Sequence, residues 1–190
     1  MKERKIGIFG GSFNPIHIAH INLIKAILSK NIIDELWIMP CKKHAFSKSL
    51  ASSKDRINMI NLAINSINNA KICKIELKLK GKSYMINTIK KLKSLYNYKF
   101  YLIVGSDITH EITKWHNYKG LFKETEFIIF KRPGYSIKKV KNMKIYYIVK
   151  KHVGSISSTQ IRENIKQGKS LKNLLPSNIQ EHINKKGLYK

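Results

Sequence analysis

Short apolar runs alternate along this chain with longer segments in which apolar residues return every three or four positions. Lys5-Ile6-Gly7-Ile8-Phe9 reads as a first strand and Ile21 to Leu28 as the helix after it. Asp34 to Pro40 is a second strand stopped by a proline. After a polar stretch from Cys41 to Ser53, a helix sets Ile57, Ile60, Leu62, Ala63, Ile64 and Ile67 on or near one stripe. The pattern predicts a third strand over Ile72 to Leu77, a helix over Tyr84 to Leu95, and a fourth strand from Lys99 to Val104 that runs into Gly105-Ser106-Asp107. Phe127 to Phe130 and Ile145 to Val149 are two further strands, separated by the turn Arg132-Pro133-Gly134. Two short helices, Ser158 to Lys166 and Pro176 to Asn184, form the tail, and neither repeat nor linker interrupts the chain.

Strands alternating with helices in this way imply an α/β fold: a Rossmann-like, doubly wound parallel sheet with helices on both faces. The 190 residues suit a single domain, with a C-terminal helical part from about residue 155. Ligands of such sheets sit beyond the carboxyl ends of the strands, near the switch point. That places three loops together: the one after the first strand, Cys41 to His44, and Gly105 to Asp107. The chain has no apolar stretch of membrane-spanning length and enters a strand directly, so a cytoplasmic protein without a membrane partner is expected. Cys41 and Cys73 make no metal-binding spacing, in keeping with a reducing compartment.

A formal charge of +26 would ordinarily suggest nucleic acid as a partner. Here the excess is lysine, 33 against 4 arginines, spread along the chain and accompanied by 31 Ile and 16 Asn but only 6 Ala, as an AT-rich genome would produce. A sequence-specific nucleic-acid partner is therefore not expected, although the field favours phosphate-bearing substrates.

The chemistry concentrates in two places. In Gly10-Gly11-Ser12-Phe13-Asn14-Pro15-Ile16-His17-Ile18-Ala19-His20, the glycine pair is expected to carry the chain through a tight turn that exposes amide N–H groups. Pro15 directs the start of the helix. His17 and His20, three apart, fall on one face of the first turn, where free N–H groups and the helix dipole favour an anion. A zinc pair or two structural histidines would also fit this spacing, but no Cys or acidic partner lies nearby and no resident metal is assigned. The second place is Gly154-Ser155-Ile156-Ser157-Ser158-Thr159-Gln160-Ile161-Arg162: hydroxyls at a helix start with an arginine one turn in, a second anion cradle. A plain serine cap with a solvated arginine is the other reading.

Together these motifs resemble the nicotinate-nucleotide adenylyltransferase family, within the nucleotidyltransferases marked by an H-x-G-H-type and an I-S-S-T-x-I-R-type motif. The resemblance runs through Gly7 to Pro15, Arg56, Ser83-Tyr84, Gly105-Ser106-Asp107, Trp115, Arg132-Pro133-Gly134, Ile156 to Arg162, and Leu174-Leu175-Pro176 to Gly187-Leu188-Tyr189. It implies transfer of the adenylyl group of ATP, with Mg²⁺, to a pyridine mononucleotide. Gly10, Gly11, Ser12 and Phe13 would line the nucleotide. His17, His20 and Arg162 would act on the phosphates, with Ser157 and Ser158 closing on the β- and γ-phosphates. Gly105 and Asp107 would meet the ribose region, and Arg132 would lie near the adenine. Lys43, His44, Tyr84, Met85 and Trp115 would form the acceptor side, with Trp115 stacked on the pyridine ring.

Departures from the family pattern fall mostly on that acceptor side. The loop after the second strand reads Pro40-Cys41-Lys42-Lys43-His44-Ala45-Phe46 where the family carries a Pro-Pro-His-Lys segment, Met85 replaces a threonine, and His116 replaces a tyrosine. Ala19 stands for the glycine of the first motif. Nicotinamide mononucleotide or 4′-phosphopantetheine as acceptor, and a basic nucleic-acid-binding module without catalysis, are the competing readings. Oligomeric state is left open, a homo-oligomer being compatible with everything above.

Overall fold

The computed structural model describes residues 3–42, 50–79, 84–150 and 156–190. Six strands, β1 (Arg4–Gly11), β2 (Glu35–Pro40), β3 (Ala70–Ile72), β4 (Tyr98–Gly105), β5 (Glu126–Phe130) and β6 (Ile145–Val149), form one sheet in the order β3-β2-β1-β4-β5-β6. Every neighbouring pair is parallel. This is the doubly wound arrangement expected from the pattern, and its strand order reverses between β1 and β4. The helices are α1 (Ile18–Leu28), α2 (Ser53–Ile64), α3 (Ile75–Lys78), α4 (Met85–Leu95), α5 (Ile108–Glu111), α6 (Tyr118–Glu124), α7 (Ser158–Lys166) and α8 (Ser177–Lys186).

Alternation along each central strand divides the core between the two faces of the sheet. Phe9, Leu36, Ile38, Tyr101, Ile103, Ile128 and Phe130 pack with Leu23, Ile24 and Ile27 of α1, Met59 and Ile60 of α2, and Ile179 and Ile183 of α8. Their strand neighbours Ile6, Ile8, Met39, Phe100, Leu102, Val104, Phe127 and Ile129 pack with Ile86, Ile89 and Leu92 of α4 and Leu121 and Phe122 of α6. Gly7 lets the first face close: a Cβ there would stand 2.7 Å from Ile33 Cδ1 and 2.9 Å from Ile103 Cδ1.

Two local expectations are corrected. The third strand is not Ile72 to Leu77 but Ala70–Ile72, because it lies at the sheet edge and pairs only with Leu36, Trp37 and Ile38 of β2. After Cys73 N–H bonds Ile38 O (2.8 Å), the chain turns away into the short helix α3, which buries Glu76. Gly10 and Gly11 do not make the turn but end β1, paired with Met39 and Pro40; the left-handed residue of the turn is Phe13 (φ 47°). The turn at Arg132 to Gly134 forms as expected, closed by Tyr135 N–H on Arg132 O (3.2 Å), and β5 and β6 run parallel. The segment between Asp107 and Glu126, silent in the hydrophobic pattern, holds α5, a 3-10 turn (Ile112–Lys114) and α6.

Arg56, on α2, is 1% exposed. Its Nη1 donates to Ser12 O (2.8 Å), Nη2 to Cys41 O (2.9 Å) and Ser53 Oγ (3.2 Å), and Nε to Ala51 O (3.2 Å). One planar fork thus ties the chain leaving β1, the chain leaving β2 and the start of α2. Arg56→Met would strand these buried carbonyls, costing about 3 kcal/mol and lowering Tm by about 6–12 °C. Arg56→Lys should recover only part, since one ammonium cannot reach all three segments; thermal melts of the two variants check this.

Candidate active site at the carboxyl ends of the strands

Phe13 turns its ring back into the core, 1% exposed, edge-on to Phe9 (centroids 5.4 Å apart) and to His20 (5.2 Å). With its ring packed inward, Phe13 can meet a ligand only through its main chain. Gly11 leaves room for this fold-back: a Cβ would approach the Phe13 ring to 3.0 Å. The cis Asn14–Pro15 peptide follows, and α1 begins with His17 at the N-cap.

The His17 and His20 rings stack at 3.6 Å with 26° between their planes. His17 N–H donates to His20 Nδ1 (3.3 Å). That contact requires Nδ1 to be the unprotonated nitrogen, so neutral His20 carries its proton on Nε2. Burial, with the Arg132 charge adding to it, lowers the His17 pKa to about 4. Burial, then His17 and Arg132, hold His20 well below its ordinary value. Both imidazoles are neutral at physiological pH. His17 Nδ1 is buried without a hydrogen-bond partner among the described residues, a polar atom left for a ligand.

The second motif meets the first directly. Ser157 caps α7, its Oγ accepting from Gln160 N–H (3.1 Å). Ser158 Oγ donates to Pro15 O (2.9 Å), and Arg162 Nη1 donates to Asn14 O (2.9 Å) while Nη2 reaches Thr159 Oγ1 (3.2 Å). Helices α1 and α7 thus present their N-termini from one hydrogen-bonded unit. Arg162 is anchored by protein oxygens, not free in solvent.

Across the switch point, Gly105 ends β4. Its missing Cβ matters, because one would collide with Asp107 Oδ1 and stand 3.1 Å from Arg132 Cδ. Asp107 Oδ2 pairs with Arg132 Nη1 at 2.8 Å, while Asp107 Oδ1 is buried without a partner among the described residues. Fully buried Ser106 fixes this corner: its Oγ donates to Tyr135 O and accepts from Arg132 N–H, both at 2.9 Å.

On the remaining side, Tyr84 caps α4 and stacks on His116, with centroids 4.0 Å apart and planes 22° apart. The Met85 methyl lies 3.5 Å from where a Gly10 Cβ would be, over the end of β1. Trp115 is half-buried against the α4–α6 side of the core, leaving part of its ring accessible. Lys43 and His44 lie outside the described residues. Among the described residues no three His, Cys, Asp or Glu side chains gather as a metal site, and no helix is long and apolar enough to cross a membrane.

The sequence reading gave no role to Asn14, Ser106, Arg56 or Tyr189. All four are buried or half-buried polar groups, Asn14, Ser106 and Tyr189 in loops and Arg56 on α2. For Asn14 and Ser106 the signal is a polar side chain next to proline or glycine just past a strand end, where loop carbonyls need donors; nothing in the local sequence marks Arg56 or Tyr189.

Comparison with known proteins agrees with the geometry. Residues 8–164 match the family model described as cytidylyltransferase-like. A protein of Halalkalibacterium halodurans named "Probable nicotinate-nucleotide adenylyltransferase" is 35% identical over 98% of this chain and 92% of its own length. One of the same name from Oceanobacillus iheyensis is 34% identical over 98% of this chain and 97% of its own. The structure of Plasmodium falciparum nicotinic acid mononucleotide adenylyltransferase complexed with NaAD superposes with a TM-score of 0.87 at 28% identity, over 98% of this chain and 97% of the other. The same enzyme complexed with APC gives 0.83 at 29% identity, with the same coverage of both chains. With a family model spanning most of its length, and relatives of this identity along nearly all of it, the chain belongs to the cytidylyltransferase-like family and, within it, to the nicotinate-nucleotide adenylyltransferases.

Proposed function

We propose that this protein transfers the adenylyl group of ATP to nicotinate mononucleotide, yielding nicotinate adenine dinucleotide and pyrophosphate in NAD biosynthesis. The observation that carries the reading is the joining of two anion-directed helix N-termini, α1 with its stacked histidines and α7 with Ser157, Ser158 and Arg162, at the carboxyl end of β1 beside the switch point.

An oxygen of the mononucleotide phosphate attacks the α-phosphorus of ATP, and the bond to the β-phosphate oxygen breaks in line, releasing pyrophosphate. The attacking oxygen is already ionised, so neither a protein nucleophile nor a general base takes part. The protein contributes position and charge neutralisation. Main chain at Gly10 to Phe13 lies along the nucleotide, and His20 Nε2–H donates to phosphate oxygens beside His17. Ser157, Ser158 and Arg162 hold the β- and γ-phosphates, ATP entering as its Mg²⁺ complex. Gly105, Asp107 and Arg132 receive the adenosine. Tyr84, Met85 and Trp115, with Lys43 and His44, receive the mononucleotide. The reaction proceeds in the cytoplasm, and the lysine-rich surface binds nucleic acid only without sequence preference.

Pyrophosphate release from ATP should be rapid with nicotinate mononucleotide and at least tenfold slower with nicotinamide mononucleotide, a difference of about 1.4 kcal/mol; 4′-phosphopantetheine should give none. Equal rates with both pyridine nucleotides would overturn the acceptor assignment.

The histidines make apo stability depend on pH. The unfolded chain takes up protons near pH 6.5, whereas native His17 does so only near pH 4. Stability is therefore full above about pH 6.5 and falls as pH drops toward 4, by about 3 kcal/mol from His17. Melts of His17→Gln across this window should show a shallower slope than the wild type.

Trp115→Ala should raise KM for the mononucleotide about tenfold, as lost stacking and cation–π attraction of about 1–2 kcal/mol require. KM for ATP should stay within twofold, and Tm should fall by only about 2–4 °C, because the ring is half-buried. A matching rise in the ATP KM would make Trp115 a structural residue.

A further inference from the structure

Asn14 is 1% exposed, and its amide is oriented by the chain around it. Ala51 N–H donates to Asn14 Oδ1 at 3.0 Å, so Oδ1 is the acceptor. The Tyr189 hydroxyl reaches the same oxygen at 2.8 Å and must be the donor. The main-chain oxygen of Asn14 takes the Arg162 guanidinium. Both oxygens of one residue, three positions before His17, are thus held from the C-terminal part of the chain.

Tyr189 is itself built into place. Gly187, left-handed at φ 60°, ends α8, and Leu188 N–H bonds Ile183 O (3.0 Å). Tyr189 is also left-handed, at φ 68°, a conformation that a bulky residue rarely holds. Burial pushes its phenol well above the ordinary value, so it stays a proton donor across the physiological range. Beside it opens a cavity of about 450 Å³, lined by Ala51, Thr159, Arg162, Leu188 and Tyr189 among others. The ring is therefore not locked by packing on every side, and the hydroxyl contact has a positional task to perform.

We infer that Tyr189 is a positioning residue for the transfer reaction: its hydroxyl fixes Asn14, and through Asn14 the turn that carries His17 and His20 onto the phosphates. The inference rests on the proposed adenylyl transfer. Because the imidazoles act on charge that shifts during the reaction, a small displacement lowers turnover more than substrate binding.

Tyr189→Phe removes the hydroxyl alone. With wild-type pyrophosphate release from ATP and nicotinate mononucleotide measured first, the variant should lose about tenfold in kcat while both KM values stay within twofold. Tm should fall by no more than about 2–4 °C, as expected for one hydrogen bond. Tyr189→Leu, which removes the ring as well as the hydroxyl, should lower Tm further, with a kcat no higher than that of Tyr189→Phe. Wild-type kcat in Tyr189→Phe, failure of that variant to fold, or a kcat in Tyr189→Leu above that of Tyr189→Phe would each overturn the inference. An inactive wild type would instead overturn the proposed reaction.

Discussion

A guanidinium sealed from solvent and held by oxygens of neutral groups is the constraint on which the site depends. Parallel strands send their loops out on one side of the sheet, so the carbonyls of Ser12 and Cys41, just past β1 and β2, come to face a shared interior where water cannot serve them. Arg56 supplies donors in a fixed plane to both, and to Ala51. With Ser12 held, the turn can proceed to Phe13, whose ring closes under Gly11, and to Asn14, whose oxygens gather Ala51, Arg162 and Tyr189.

The sheet was legible because burial on both faces writes itself into residue choice. Ile6, Ile8 and Phe9, or Phe100 through Val104, are apolar without interruption, as only a covered parallel strand is. The edge was not legible. Cys73, Ile75 and Leu77 alternate like a strand, but the sheet offers pairing no further than Ile38, and the chain coils instead. Likewise α5, the 3-10 turn after it and α6 are too short to show a period, and their apolar residues Ile112, Leu121 and Phe122 become meaningful only against α4.

The site was legible in kind but not in linkage. Histidines at the start of α1 and serines at the start of α7 announced two anion cradles, yet nothing in the spacing said that Ser158 would bond Pro15 or that Arg162 would bond Asn14. Such contacts join residues more than a hundred positions apart and have no periodicity. Charge was the poorer guide. The lysines dominate composition, whereas the candidate site brings together neutral imidazoles and two arginines already engaged by protein oxygens.

That long-range closure bears on the order in which the molecule can become competent. The turn at residues 12–18 is made early in synthesis, but its partners at Ser158, Arg162, Leu174 and Tyr189 follow every strand of the sheet. A chain emerging from the ribosome can assemble β1, α1 and β2 while the turn still lacks the contacts that shape it. A partly made or truncated chain would therefore have strands in place but a turn without the contacts that close it.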